Sequence, residues 1–368
     1  MIADIEIRGF KRFHQQAFAL KRLSILAGLN GSGKTSLIHA LLLAWEASAG
    51  VSGGIVRLNG PFGIELGTAE DIRNWKYDDP VEFCLSTTYG SSALWRLGIP
   101  SDDALYLTVQ EKPLDPPIAY SMGPRSFTYL CAERLGPRGV LGASPFPPER
   151  LEVGVRGEQC AQILAAIGGK LIENAGRLHP AREKNAPALL KYEVERWLAE
   201  IARPVEIDAE RYSGSAVTTL RFRSPGGTWV RAPNMGFGVS YALPVILAGL
   251  IAAPGGLFIV ENPEAHLHPG GQSRMGTFLA WLAGHGVQVI VETHSDHVLN
   301  GVRKAIGELS YLSHDDAIVH FFPSSESDEA LIQQLGFTPL GGLANWPQGF
   351  FDQYQIDVAA LGRIRRRS

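Results

Sequence analysis

Eight consecutive residues, Gly28-Leu29-Asn30-Gly31-Ser32-Gly33-Lys34-Thr35, match the pattern G-x-x-x-x-G-K-[ST] at every fixed position. The chemistry of that spacing is phosphate binding. Glycines let successive backbone N–H groups curl into a concave nest, and a helix that follows turns its positive N-terminal end toward the same charge. Asn30, Gly31, Ser32, Gly33 and Ser36 form the cradle, Lys34 is a point charge for the β- and γ-phosphates, and the Thr35 hydroxyl is an oxygen ligand for Mg²⁺. Two later segments can serve the same chemistry. Residues 256–261 are an apolar run ending in Glu261, the way a central parallel strand delivers an acid to Mg²⁺, so Thr35 and Glu261 are the candidate metal ligands. Residues 287–295 repeat the form, ending in Thr293, His294 and Ser295, and a histidine there can sense or polarise a γ-phosphate.

These groups need elements to hold them. Residues 23–27 read as a buried strand running into the glycine loop and residues 36–45 as a helix leaving it. Upstream, Ile5, Ile7 and Phe10 alternate as in a strand. The turn Gly9-Phe10-Lys11-Arg12-Phe13 places basic and aromatic residues before the loop, with Arg12 a candidate for the nucleotide base or phosphates and both phenylalanines for the core. Short strands follow at 56–58, 81–85 and 105–109, then a central one at 127–132 that ends in a charged turn whose Arg134 and Arg138 read as solvated. Residues 157–167 and 187–202 read as helices, the second with Leu189, Leu190, Val194, Trp197, Leu198 and Ile201 at core spacing. Strands come next at 204–207, 217–222 and 228–231, and a last one at 317–322. There is no internal repeat, low-complexity linker or heptad run, so long coiled-coil arms are not expected.

With 368 residues and 45% hydrophobic content the chain can bury a sizeable core, and a formal net charge of -3 argues against a globally basic nucleic-acid binder. Cys84, Cys131 and Cys160 are odd in number, far apart and in apolar surroundings, which predicts structural thiols of a reducing compartment. No signal peptide opens the sequence and no run of 18 apolar residues occurs in it, so a cytoplasmic protein with no membrane partner is expected.

Taken together, Gly9 to Phe13, the glycine loop, the run Glu-Asn-Pro-Glu-Ala-His-Leu-His-Pro at 261–269 and Glu-Thr-His-Ser-Asp at 292–296 resemble the ABC-type ATPases of the RecF, SMC, Rad50 and overcoming-lysogenization-defect (OLD) group. The resemblance implies an α/β fold: an ABC-type P-loop ATPase head, its mixed β-sheet flanked by helices, with an N-terminal antiparallel β subdomain and a helical insertion. It implies ATP and Mg²⁺ as cofactors and a homodimer whose heads sandwich ATP between the P-loop of one and a signature segment of the other; a higher oligomer and DNA stay open as partners. The signature candidate is Asn234 to Ser240, with Gly236 and Gly238 presenting backbone amides to the opposing γ-phosphate and Ser240 capping a helix over 241–252. The division it suggests is an N-terminal lobe over 1–138, an insertion over 139–230, a signature and acid lobe over 231–322, and a C-terminal plug with a basic tail over 323–368.

One position departs from the group's wording. Where its members carry a second acid as general base, this chain has Asn262, an amide that can hold a water but cannot take its proton. Either hydrolysis is slow and ATP acts as a clamp, or Glu264 or His294 substitutes as the base. His266, His268, His294, Asp296 and His297 can also be read as a transition-metal cluster, although the motif accounts for the same residues. The aromatics of 345–353 read as a plug, and Arg363, Arg365, Arg366 and Arg367 as a solvated tail. OLD-like proteins continue into a Toprim nuclease, and no acidic Toprim pattern is present here, so a nuclease or toxin-like effector is expected on another polypeptide. The function implied is an ATP-dependent sensor or scaffold regulating that effector in anti-phage defence; a RecF-like DNA clamp and a structural subunit without turnover are the alternatives.

Overall fold

Leu257–Glu261 and Gln288–Glu292 are buried at every residue, as parallel strands covered on both faces must be. The computed structural model describes residues 1–50, 54–76, 80–323, 332–352, 356–358 and 360–361. In chain order the first strands are β1 (Ile2–Phe10), β2 (Phe13–Ala19), β3 (Leu23–Gly28), β4 (Ile55–Arg57), β5 (Val81–Thr87), β6 (Ser92–Gly98), β7 (Tyr106–Glu111) and β8 (Phe127–Leu130). They are followed by β9 (Val140–Gly142), β10 (Glu206–Arg211), β11 (Val217–Arg223), β12 (Val230–Arg231), β13 (Leu257–Glu261), β14 (Gln288–Glu292), β15 (Ala317–Phe322) and β16 (Gln333–Gly336). The helices are α1 (Lys34–Ala49), α2 (Ala69–Ile72), α3 (Cys160–Ile167), α4 (Leu190–Ile201), α5 (Phe237–Ile251), α6 (Pro269–Gly284) and α7 (Asp296–Gly307).

The central sheet has the order β16-β15-β3-β14-β13-β8, parallel except for β16. Period-two alternation along its strands feeds two separate cores. Leu23, Ile25, Phe258, Val260, Val289 and Val291 face a core built with α3 to α7, where Trp197, Phe278 and Trp281 pack together. Leu26, Leu257, Ile259 and Ile290 face the other core, closed by α1 and by an antiparallel sheet of order β2-β1-β5-β6-β7-β4. A third sheet joins β10, β11 and β12, with β9 on β11. This is a mixed α/β fold with an antiparallel N-terminal sheet, as the resemblance implied.

The sequence reading placed most elements within two or three residues. It missed β6, whose Ala93, Trp95 and Leu97 are buried in alternation with the half-buried Leu94 and Arg96, as well as α6 and α7, and did not place β2, β9, β16 or α2. Phe10 and Phe13 are buried as expected. Cys84, Cys131 and Cys160 are all free thiols, and Cys160 is fully buried, which pushes its pKa up. Among the described residues no helix is long and apolar enough to cross a membrane. The arginine tail lies outside the described residues; within the C-terminal aromatics Phe350 is buried, its ring 5.1 Å from both Phe321 and Trp346.

Candidate functional site

The glycine loop connects β3 to α1 at the C-terminal edge of the central sheet. Gly28 has φ 141° and lies so close to β15 that a Cβ would stand 2.2 Å from the Phe322 carbonyl oxygen. Gly33 caps α1 in the left-handed region with φ 101°, beneath the Arg12 side chain. Glycine is needed at both places, for the backbone angle and for the space. Lys11, Arg12, Asn30, Gly31, Gly33, Lys34, Thr35, Ser36 and Glu292 line a cavity of about 220 Å³ over the loop. The Arg12 guanidinium donates to the Ser32 carbonyl, and the Ser32 hydroxyl donates to Leu29 O at 2.7 Å.

Lys34 is almost wholly buried. Its ammonium donates to Gly28 O (3.0 Å) and Leu29 O (2.7 Å) and lies 3.6 Å from Glu292 Oε1. Burial lowers its pKa, with the Glu292 charge opposing the shift. Two of its donors are thus drawn onto the loop's own carbonyls, and the third side of the ammonium faces the Glu292 carboxylate.

Glu261 and Glu292 pair directly across parallel β13 and β14, so two carboxylates end neighbouring strands at the same height. Glu261 Oε1 accepts from the Tyr129 hydroxyl at 2.9 Å, and Oε2 from Ala132 N–H at 3.4 Å. Burial is the main effect on the Glu261 carboxyl and raises its pKa, against those two hydrogen bonds. Glu292 is pushed up to about 7, first by burial and next by the Glu261 charge, while Lys34 pulls it down.

Beyond β13 the backbone turns sharply. Asn262 (φ 43°) and His266 (φ 61°) are both left-handed, a region asparagine enters more cheaply than most side chains. Asn262 N–H donates to Glu292 O at 2.9 Å, and its side-chain Oδ1 is buried without a partner. Glu264 is buried, one oxygen accepting from His294 N–H at 2.9 Å and the other, Oε2, unpartnered. His294 is exposed at the rim; burial of its neighbourhood and then the Lys34 charge lower its pKa. Ser295 caps α7, its hydroxyl accepting from His297 N–H and Val298 N–H and donating to Gln272 Oε1 at 2.6 Å.

Two expectations are corrected, for Arg134 and Ser240, and the alternative reading of the histidines as a metal cluster finds no support. Arg134 is not solvated: it is 2% exposed and donates to Glu261 O (2.7 Å), Asn262 O (2.5 Å) and Cys131 O (3.2 Å), because those carbonyls end β8 and β13 and lack strand partners. Ser240 does not open its helix. With Gly236 at φ 96° the chain enters α5 at Phe237, so Ser240 falls inside the helix, its hydroxyl buried and unpartnered. The histidines do not converge, and among the described residues no group of three or more His, Cys, Asp or Glu could hold a metal ion. Instead His266 stacks on Phe237 (5.0 Å) beside Tyr241 (4.4 Å), and His268 caps α6 by accepting from Gly270 N–H.

Within one chain, then, the loop residues, Arg12 and Glu292 share a cavity, and Glu261, Asn262, Glu264 and His294 gather at its β13–β14 side. Gly236, Gly238 and Ser240 do not line it. Glu292, Tyr129 and Arg134 went unassigned in the sequence. Glu292 had a signal, a carboxylate closing an apolar run as Glu261 does, whereas Tyr129 and Arg134 carried none because their partners are remote in sequence. ATP and Mg²⁺ fit these residues: a glycine nest with the Lys34 ammonium at the loop for the phosphates, the Thr35 hydroxyl and Glu261 carboxylate as hard oxygen ligands, and two orphaned buried oxygens, on Asn262 and Glu264, facing no protein donor.

Residues 167–300 match a family model described as "AAA domain, putative AbiEii toxin, Type IV TA system". Residues 312–361 match one described as "Protein of unknown function (DUF3696)". No curated protein sequence matches the chain. Among solved structures it is similar to an SMC head bound to the C-winged helix domain of ScpA, at 14% identity over 91% of this chain and 97% of that one, TM-score 0.47. It is similar also to the SMC head domain from Thermotoga maritima (12% identity, 94% and 98%, TM-score 0.41). A third is an Smc head with an extended coiled coil, bound to the C-terminal domain of ScpA, derived from Pyrococcus furiosus (13% identity, 99% and 99%, TM-score 0.45). The AAA-domain match takes in the signature turn, Glu261 and His294 but not the glycine loop, which the fold brings against them from residues 28–35. Residues 167–300 are thus similar to an AAA domain, and the central sheet joins them to a P-loop contributed by residues 28–35.

Proposed function

We propose that this ATPase binds ATP with Mg²⁺ between the P-loop and Glu261, closes as a homodimer around it, hydrolyses it slowly, and so regulates a separate effector protein in anti-phage defence. The observation that carries the reading is the phosphate cavity with Asn262, a neutral amide, beside its acid pair. When bound, Mg²⁺ supplies positive charge to the phosphate oxygens; the remaining work falls to the chain. Lys34 exchanges its loop carbonyls for phosphate oxygens, Asn262 positions a water without accepting its proton, and Glu264 Oε2 is the unpartnered carboxylate oxygen nearest in sequence to that task. The first-turn amides of α5, Gly238 among them, have no partner within the helix and stand apart from the chain's own P-loop cavity, which suits a contribution to a second protomer's site. An effector-linked role draws on the matched family's description as a putative toxin of a type IV toxin–antitoxin system.

Single-turnover hydrolysis and light scattering test this reading. The expected result is a dimer with ATP and a monomer with ADP, with ATP persisting for many minutes. Turnover on the order of 10 s⁻¹, the scale of an ordinary enzyme, abolished by Glu264→Gln, would sink the slow-clamp idea. Duplex DNA binding that falls steeply with salt would replace the effector reading with a DNA clamp.

A further inference from the structure

A second cavity, of about 710 Å³, opens at the opposite edge of the central sheet and shares no lining residue with the phosphate cavity. Arg125, which precedes β8, and Ala252 to Pro254, which precede β13, form one side of it; the segment 170–177 that follows α3 forms another. Glu261 stands at the far end of β13, about 13 Å away along the strand. Two arginines line the cavity and both are buried, Arg177 being 1% and Arg125 6% exposed. Arg177 gives Nε to His285 O (3.3 Å) and Nη1 to the Gly249 and Ala252 carbonyls at the end of α5, while its Nη2 is buried without a partner. Among the described residues it faces no carboxylate, and burial lowers its pKa to about 10, so it stays charged at neutral pH. Arg125 donates to Leu151 O (3.0 Å) and Pro148 O (2.8 Å), and its ion pair is with Glu173, 3.7 Å away, whose side chain lies mostly in solvent.

We propose that this cavity binds a small molecule with an apolar body and a single carboxylate head, which Arg177 and Arg125 hold; the inference goes beyond the ATP reading and does not depend on it. A buried guanidinium without a counter-ion carries an uncompensated desolvation cost, and a buried N–H without an acceptor is uncommon in a native fold, so the arginine pair calls for an anion. The planar fork of a guanidinium matches the two oxygens of a carboxylate. Lys170, exposed at the rim and without an ion pair among the described residues, joins the arginines against Glu149 and Glu173. Three cations and two carboxylates leave a surplus of one positive charge, which fits a monoanion better than a polyphosphate. The rest of the wall is largely apolar, with Ile167, Ile172, Leu190, Leu250 and Ile251, and Leu171 is 69% exposed at the mouth, where a ligand's hydrocarbon would cover it. Apolar walls around a few convergent polar groups, in a volume of this order, make up a small-molecule site.

Fluorescence titration of anilinonaphthalene sulfonate, an apolar monoanion, into the full chain without nucleotide tests the inference. The expected result is one bound probe per chain, displaced by octanoate and not by octylammonium, which has the same tail and the opposite charge. Ala175→Trp, at an exposed lining position, fills the cavity and weakens the probe about tenfold or more. Arg177→Met weakens it about tenfold, the scale of one lost charge-assisted hydrogen bond. Lys170→Glu turns the charge surplus into a deficit and weakens it by a factor that grows as salt is lowered. Matched urea midpoints for Ala175→Trp and the parent protein separate a binding effect from a folding one, and unchanged affinity in Lys34→Met separates this cavity from the phosphate site. Affinity undiminished in Ala175→Trp and Lys170→Glu, displacement by octylammonium as readily as by octanoate, loss of the probe in Lys34→Met, or no binding of either anion overturns the inference.

Discussion

Replacing Arg134 by methionine should unfold the acid-bearing turn before it alters the phosphate loop. The guanidinium makes three hydrogen bonds to main-chain carbonyls, those of Glu261, Asn262 and Cys131, and packs over the Tyr241 ring at 5.5 Å. Bonds from a charged donor contribute about 1.5–3 kcal/mol each. Against this stands the cost of keeping a guanidinium dry, several kcal/mol, visible here as a pKa lowered chiefly by burial. Methionine relieves that cost while leaving the Glu261 and Asn262 carbonyls unsatisfied, so the balance is a loss of about 2–4 kcal/mol. Urea denaturation reads it as a lower midpoint at unchanged slope. Amide exchange at residues 261–265 should speed up with it, because those carbonyls fix the turn. Arg134→Lys, with one ammonium in place of a fork, should fall between the two. A midpoint within about 0.5 kcal/mol of the parent, the spread of neutral surface substitutions, would refute the claim that this arginine is structural.

Two further predictions concern the metal- and nucleotide-free protein. Glu292 faces Lys34, Glu261 and Glu264, and its carboxyl is raised from 4.5 to about 7, so the folded state holds that proton more tightly than the unfolded chain does. Its contribution is therefore fully present below pH 4.5 and lost as pH rises through 7. At about 1.4 kcal/mol per unit the ceiling is about 3 kcal/mol. Glu292→Gln should accordingly raise the urea midpoint at pH 8 and leave it unchanged at pH 4.5, and a gain independent of pH would contradict burial as the cause. Gly28→Ala places a methyl 2.2 Å from Phe322 O at an angle of φ 141°, forcing β3 and β15 apart; it should cost about 1–3 kcal/mol, as overpacking does, and weaken ATP binding in calorimetry, with native stability and affinity the result that counts against it.

The chain's sequence determined its chemistry wherever function is written in contiguous residues. The glycine loop, the apolar runs ending at Glu261 and Glu292, and the Asn262 departure are local patterns, and the strands of the central sheet followed from their uninterrupted hydrophobicity. A helix start was less legible. Gly236 and Ser240 both suit a helix entry by type, and only the backbone angle at Gly236 decided for Phe237 as the first residue of α5. What the tertiary structure alone decided are the pairings across long separations: Tyr129 on Glu261, Arg134 on the carbonyls of Glu261 and Asn262, Lys11 on His39, and Glu292 on Lys34. The reason is physical. Residue type and spacing report the local backbone and the face a side chain takes, but whether an arginine in a charged turn meets water or an unpaired carbonyl depends on what another strand brings to that point.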